Sequence, residues 1–230
     1  MSRKTTRKLK IYLEVGTRRT IAAALDWPGW CRIGQDETSA LQSLVEYGPR
    51  YAKILRSARL GFQAPDDLSA FVVKERLKGN ATTDYGVPGL APAFDSRTPD
   101  ETELRRLQVI LRACWRAFDG TIKMARGKEL RKGPRGGGRT LEKITDHVLE
   151  SEKGYLSSLG GKVAAPEGST PSLDLTRQAI LQTLQASAEG KLPTHGPRGG
   201  KRWTARYFVR RDAWHILDHI WEIEDRLEEA

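Results

Sequence analysis

Three histidines in this sequence have the spacing expected of metal ligands. His215 and His219 lie four residues apart in one stretch predicted to be helical, and His147 lies in another such stretch upstream. Residues four apart on a helix share a face, so both imidazoles of the pair can reach one ion. A third imidazole from a neighbouring helix would leave one coordination position open for water or substrate, as in catalytic zinc sites. The pattern therefore predicts a site for Zn²⁺, Ni²⁺ or a similar divalent ion.

Two carboxylates flank the histidine pair, Asp212 before it and Glu222 after it. Two interpretations of these acids are open. They either orient the imidazoles or serve as a general base, or they form ordinary helical ion pairs with Arg211 and Arg226. On a helical wheel the histidines fall on the polar stripe of this helix rather than on its apolar arc. That stripe either lines a wet cleft or faces solvent.

Two similar basic, glycine-rich loops, at residues 133–139 and 196–202, each precede a stretch that contains candidate ligands. Glycine N–H groups beside a helix N-terminus, together with arginines, suit a phosphate or a carboxylate. Neither loop fits the phosphate-binding pattern G-x-x-x-x-G-K-[ST], and as flexible linkers both would need no ligand. The candidate anion-binding or substrate-binding residues are Arg135, Arg139, Arg198, Lys201 and Arg202.

The composition narrows the classes of partner and compartment. The chain has 39 Lys and Arg against 29 Asp and Glu, a net charge of +10, which favours anionic partners such as nucleic acid, phosphate or an acidic small molecule. Cys31 and Cys114 form no C-x-x-C pair, as expected in a reducing compartment. No run approaches the roughly 20 apolar residues of a membrane span. These features predict a cytoplasmic location.

The first half of the sequence predicts a small domain of order β-β-β-α-β. Alternating or β-branched stretches indicate three strands and, later, a fourth. Asp36 is a suitable N-cap for the helix between them. The predicted strands are residues 10–15, 20–25, 30–33 and 70–76, and the helix is 37–57. A segment rich in glycine and proline follows at residues 79–97 and is predicted to be a linker.

The second half predicts four long helices. The first opens with the capping sequence Thr98-Pro99-Asp100-Glu101. The predicted helices are residues 98–125, 140–159, 170–188 and 204–228. Four such helices indicate a four-helix bundle, a fold that commonly holds metals between facing helices. The predicted class is therefore α+β, with a domain at 1–78, a linker at 79–97 and a bundle at 98–230.

The helical half resembles the DinB-like superfamily of four-helix bundles over roughly residues 98–228. His147 lies in the run D-H-V-L-E-S-E-K-G-Y-L, and the pair lies in A-W-H-I-L-D-H-I-W-E-I-E-D. The resemblance implies a divalent ion held by one histidine on the second helix and two on the last, which are His147, His215 and His219. It also implies a metal-dependent thiol S-transferase, or a related hydrolase or isomerase. A low-molecular-weight thiol would be its cofactor, and the basic loops add the expectation that its substrate is a small anionic compound or a thiol.

The first half is similar to the HicB-like domain of antitoxins over roughly residues 10–76. The similarity is carried by Leu25-Asp26-Trp27-Pro28-Gly29-Trp30-Cys31, followed by Gly34 and Glu37. HicB antitoxins usually carry a DNA-binding segment after this fold, whereas here a helical bundle takes that place. The resemblance implies a role in dimerisation or docking. The alternative to a metalloenzyme is thus a non-catalytic module that binds nucleic acid or protein, with the bundle as its scaffold.

Overall fold

The computed structural model describes residues 8–132, 138–164 and 172–227. The chain forms two compact units, Met1–Arg97 and Thr98–Ala230. The first unit contains a four-stranded sheet with short helices, and the second is built from long helices. The predicted α+β class is therefore confirmed. Among the described residues, no helix combines the length and the apolar character that a membrane span requires.

The sheet of the first unit has the order β3-β2-β1-β4. Its strands are β1 (Leu9–Val15), β2 (Thr20–Ala24), β3 (Cys31–Gly34) and β4 (Phe71–Lys78). Strand β2 pairs antiparallel with both β1 and β3, while β4 returns to pair parallel with β1. A parallel partner needs a crossover connection rather than a hairpin. The segment between β3 and β4, which contains the predicted helix, supplies it.

The helix predicted at residues 37–57 is two helices, α1 (Glu37–Glu46) and α2 (Gly48–Leu55). Helix α1 ends at Tyr47, and Pro49 lies in the first turn of α2. Proline has no N–H to donate within a helix and is tolerated only in a first turn. The apolar positions keep a helical period across the break, so the pattern alone does not reveal it.

The segment predicted to be a linker folds as part of the first unit. It forms the short helix α3 (Ala81–Tyr85) and then runs against β1. The carboxylate of Glu14 on β1 is fully buried. It accepts hydrogen bonds from the backbone N–H groups of Gly89 and Leu90, at 3.1 and 3.2 Å. A buried carboxylate needs such donors, so these bonds attach the segment firmly to the sheet.

The second unit contains four long helices, close to the predicted ranges. They are α4 (Glu101–Ala125), α5 (Leu141–Leu159), α6 (Leu173–Ala188) and α7 (Ala205–Arg226). Each begins after a residue whose side-chain oxygen accepts a backbone N–H of the first turn, which satisfies a donor that the helix leaves open. These N-cap residues are Asp100, Thr140, Ser172 and Thr204.

Helix α7 is the central element of this unit. It contacts α4, α5 and α6, and most of its residues are buried, including Trp214 and Trp221 of its apolar arc. His215 and His219 are only 7% and 6% exposed. The histidines on the polar stripe of α7 therefore lie in the interior of the helical unit rather than on a solvent-facing surface.

Candidate metal centre

The three predicted ligands come together between α5 and α7. The Nε2 atom of His215 lies 3.1 Å from Nε2 of His147 and 3.2 Å from Nε2 of His219. The candidate ligand atoms of all three residues lie within 4.8 Å of one another. His147 is partly exposed, whereas the other two imidazoles are buried. The site thus has a buried wall on α7 and an accessible side at His147.

The spacing of the nitrogens fits a single bound ion. With a Zn–N distance of about 2.05 Å, nitrogens about 109° apart are separated by about 3.3 Å, and nitrogens about 90° apart by about 2.9 Å. The observed separations of 3.1 and 3.2 Å fall between these values. One ion can therefore contact His215 together with each of its two neighbours. Nε2 of His215 carries at most one hydrogen, so hydrogen bonding alone cannot satisfy both contacts.

Glu222 orients one of the three imidazoles. Its Oε2 accepts a hydrogen bond from Nδ1 of His219 at 2.8 Å, and its Oε1 accepts one from Nη1 of Arg226 at 2.7 Å. The hydrogen bond from His219 is the main reason that the pKa of Glu222 is lowered. With the hydrogen on Nδ1, the lone pair of Nε2 points to the centre, as metal-ligating histidines require. Glu222 thus pairs with both His219 and Arg226, while its role as a general base stays a prediction.

Asp212 makes no direct hydrogen bond with a histidine or with Arg211 among the described residues. It is fully buried, and neither of its oxygens has a hydrogen-bonding partner among the described residues. The guanidinium of Arg211 instead lies 4.6 Å from the ring centroid of Trp214, a cation–π contact. Burial, and then the charge of Glu152, raises the pKa of Asp212 well above its ordinary value. Asp212 therefore belongs to a separate buried group of polar residues.

His147 and His215 are held in the neutral form that binds metals. Burial, with the neighbouring histidines His219 and His147 next in importance, lowers the pKa of His215 to about 2. Burial also lowers the pKa of His147, followed by the positive charge of Arg139. Protons compete with metal ions for imidazole nitrogens. Two of the ligands are therefore free of that competition at neutral pH.

One described residue of the first basic loop, Arg139, acts on the histidines. Arg139 is exposed, and its charge acts on His147 and His215. Nη2 of Arg226 donates a hydrogen bond to the backbone carbonyl of Arg139 at 3.0 Å. This bond involves the main chain of Arg139 and not its guanidinium group. Arg135 lies outside the described residues.

The second loop lies far from the candidate site. Arg202 packs against Gly160 at the C-terminal end of α5. Gly160 is thirteen positions after His147, which corresponds to about 20 Å along a helix. Arg198 and Lys201 are exposed in a turn closed by a hydrogen bond from Gly196 N–H to the carbonyl of Gly200. The structure does not bring these three predicted anion-binding residues to the histidines.

Comparisons with protein families, curated proteins and solved structures gave no match for this chain. The resemblances to DinB-like and HicB-like proteins therefore stay predictions. Within the described residues, His147, His215 and His219 form the one group of three or more candidate metal ligands. The chemistry of this group carries the functional conclusion.

An aromatic wall beside the site was not predicted from the sequence. The ring of Tyr155 lies 5.7 Å from that of His215 and 5.2 Å from that of Trp203. Tyr155 follows His147 by eight residues, a spacing that keeps both on roughly the same side of α5. That periodicity is the signal by which Tyr155 could have been found. Glu152, which is fully buried on the same helix, carries no comparable signal.

The role of Glu222 leads to a testable prediction. Glu222→Gln keeps the size of the side chain but removes the charge that holds the hydrogen on Nδ1 of His219. Loss of such an outer partner typically weakens metal affinity about 10- to 100-fold. Competition titration with a chelator should show this loss for Zn²⁺. Asp225→Asn, an exposed acid on α7, is the control and should bind Zn²⁺ like the wild type. Equal affinities in all three proteins would contradict the orienting role.

Proposed function

We propose that the helical unit binds one divalent transition-metal ion through Nε2 of His147, His215 and His219. The observation that carries this proposal is the approach of three imidazole nitrogens at 3.1 and 3.2 Å. Glu222 supports it, because its hydrogen bond with His219 presents the Nε2 lone pair to the centre. Three imidazoles suit Zn²⁺, Ni²⁺ and similar ions and do not select among them.

We further propose that the protein is a metal-dependent thiol transferase or a related hydrolase or isomerase. A bound ion would lower the pKa of a coordinated thiol or water and so supply a nucleophile at neutral pH. Three protein ligands leave a position open for that group. The partly exposed His147 supports access to the ion from one side. The buried His215 and His219 close the other side, which limits the entry of bulk water.

Arg139 supports an anionic substrate or thiol cofactor. Its charge acts on two of the candidate ligands, so it lies within electrostatic reach of a group bound at the ion. Its side chain is exposed and can therefore meet a carboxylate that arrives from solvent. A guanidinium offers a carboxylate two parallel hydrogen bonds. Arg139 would thus bind the charged end of a small thiol whose sulfur reaches the ion.

Thiol binding to the Co²⁺-loaded protein tests this function. A thiolate on Co²⁺ gives a charge-transfer absorption band, which should appear on titration with 3-mercaptopropionate and with neutral 2-mercaptoethanol. Arg139→Gln should weaken binding of the anionic thiol about two- to fivefold, the range of an exposed ion pair. The same variant should leave 2-mercaptoethanol unaffected. Arg198→Gln, in the loop remote from the histidines, is the matched control. Absence of the band with both thiols would overturn the proposal.

A further inference from the structure

A second group of polar residues lies buried within the helical unit. This buried polar cluster contains Trp115 of α4, Glu152 of α5, Arg177 of α6, and Arg211 and Asp212 of α7. Glu152 and Asp212 are fully buried, and Trp115 and Arg177 are 5% and 6% exposed. All four helices of the unit therefore contribute a polar side chain to one interior region.

The cluster is unusual because so many of its polar atoms lack partners. Within the described residues, no hydrogen bond of ordinary length reaches either carboxylate oxygen of Glu152 or Asp212, although Trp115 and Arg177 lie close enough to Glu152 to act on its pKa. The same is true of Nε1 of Trp115, Nε and Nη2 of Arg177, and Nη1 of Arg211. In folded proteins nearly all buried polar atoms are hydrogen-bonded, either to protein or to ordered water. These donors and acceptors therefore require an explanation.

The spacing of the cluster suits bridging by water. Nε of Arg177 lies 3.7 Å from Oε1 of Glu152, which is too long for a direct hydrogen bond. The outer nitrogen Nη1 of Arg177 is fixed by Asp119, with contacts of 2.8 and 2.9 Å. That ion pair holds the guanidinium in place. Donors of Arg177 and Trp115 and acceptors of Glu152 and Asp212, all buried without a partner, offer the two to four polar contacts that a buried water makes.

Charge balance indicates one proton on the buried carboxylates. The cluster and its anchor contain three acids, Asp119, Glu152 and Asp212, against two guanidinium groups, Arg177 and Arg211. One proton makes these charges equal. Burial raises the pKa of both Glu152 and Asp212, as expected for neighbouring carboxyls away from water.

Other ionisable groups near the pair are neutral at neutral pH. Burial raises the pKa of the Cys114 thiol on α4 and of the Tyr155 hydroxyl on α5, and Asp212 acts on both. Burial lowers the pKa of His215 on α7. None of these groups supplies a charge that would remove the proton from the carboxyl pair. Among the described residues, the other charged groups that act on Glu152 and Asp212 are thus Arg177, Arg211 and Asp119.

We propose that the buried polar cluster is a permanent hydration site, in which ordered water bridges Glu152, Asp212, Arg177 and Trp115 and the two carboxyls share one proton. The bridging water supplies the partners that the protein atoms do not give one another. The shared proton removes the repulsion between the two acids. The cluster is then a neutral, fully hydrogen-bonded network inside the helical unit.

The hydration site also positions His215. Asp212 precedes His215 by one helical turn, and Nδ1 of His215 is itself buried without a partner among the described residues. A histidine that binds an ion through Nε2 carries its hydrogen on Nδ1 and needs an acceptor there. Water held at Asp212 supplies it, as Glu222 does for His219. This last link rests on the proposed metal function, whereas the hydration site and its shared proton do not.

The pH dependence of folding tests the shared proton. Above the unfolded carboxyl pKa of about 4, the folded wild type holds one more proton than the unfolded chain, so its folding equilibrium constant falls by up to about tenfold per pH unit. Glu152→Gln and Asp212→Asn each remove the extra proton of the folded state and with it this pH dependence. The ratio of wild-type to variant folding constants should therefore fall between about pH 5 and pH 7. Groups that are the same in all the proteins contribute equally to both folding constants and cancel from the ratio.

Glu150→Gln is the matched control for Glu152→Gln. Glu150 lies two residues away on α5, is exposed, and pairs with Lys153 at 2.7 Å. The ratio of the wild-type folding constant to that of Glu150→Gln should not change between about pH 5 and pH 7. Ratios that stay flat for Glu152→Gln and Asp212→Asn as well would refute the shared proton.

Two measurements on the wild type keep the proposal falsifiable if these variants do not fold. The infrared spectrum at neutral pH should contain the C=O stretch of a protonated, buried carboxyl that shifts in D₂O. A crystal structure should show water contacting Glu152 and Asp212. Absence of the band, direct ion pairs between the arginines and both acids, or an organic ligand in the cluster would each overturn the proposal. Protein that shows the band and the water but binds no metal would refute the proposed function alone.

Discussion

Replacing His215 with alanine is expected to abolish binding of the divalent ion. Nε2 of His215 lies 3.1 and 3.2 Å from the nitrogens of His147 and His219, so it is the ligand that both others approach. Two imidazoles on separate helices would remain, fewer than the three protein ligands of catalytic zinc sites. Metal content, measured by plasma mass spectrometry, should fall from about one ion per chain to background.

His195→Ala is the matched control for this variant. His195 is the fourth histidine of the chain and is exposed in the loop before α7, outside the ligand group. His215→Gln is a useful second variant, because it fills more of the buried space than alanine and so separates loss of the ligand from a cavity. Circular dichroism should show helices in every variant. Full metal occupancy in the folded His215 variants, or equal loss in the His195 control, would refute the site.

Saturating Zn²⁺ is expected to raise the thermal stability of the helical unit substantially. The ligands come from α5 and α7, so the complete site exists only when those helices are packed. An ion at 100 times its Kd adds about 2.7 kcal/mol to the free energy of unfolding, which corresponds to a rise of about 10 °C in Tm for a unit of this size. Calorimetry with and without a chelator measures the shift. An unchanged Tm in wild type would contradict the prediction.

The metal-free protein should lose stability in acid because His215 binds a proton when the chain unfolds. The pKa of His215 is about 2 in the folded protein and about 6.5 for a histidine in an unfolded chain. Between these values the unfolded state binds the extra proton. The contribution of His215 to the free energy of unfolding is therefore complete above about pH 6.5. Below that pH it falls by up to about 1.4 kcal/mol per pH unit. Urea titrations of His215→Gln should show a shallower fall than those of the wild type.

The outlines of the helical unit follow from local sequence signals. The N-caps Asp100, Thr140 and Thr204 begin helices within a few residues of the predicted positions. Capping and the helical period depend on residues three or four apart, so a single sequence contains the information. The i, i+4 spacing of His215 and His219 is a signal of the same local kind.

The errors in the first unit arise where distant residues decide the outcome. The predicted linker instead packs on the sheet because Glu14 accepts hydrogen bonds from Gly89 and Leu90, some 75 residues away. No local pattern encodes the position of a buried acceptor relative to such donors. The missed break between α1 and α2 had a local signal, Pro49, which the continuous apolar period concealed.

His147, His215 and His219 can be recognised as candidate ligands without knowledge of the fold, whereas the action of their neighbours depends on how the helices pack. Asp212 and Glu222 are equivalent acids beside the histidine pair, yet Glu222 bonds His219 while Asp212 joins Glu152 in the interior. Arg139 and Arg198 occupy similar loops, yet only Arg139 acts on the histidines. The physical reason is that burial and pairing depend on which helices pack together, and helix packing joins residues that are far apart in the chain.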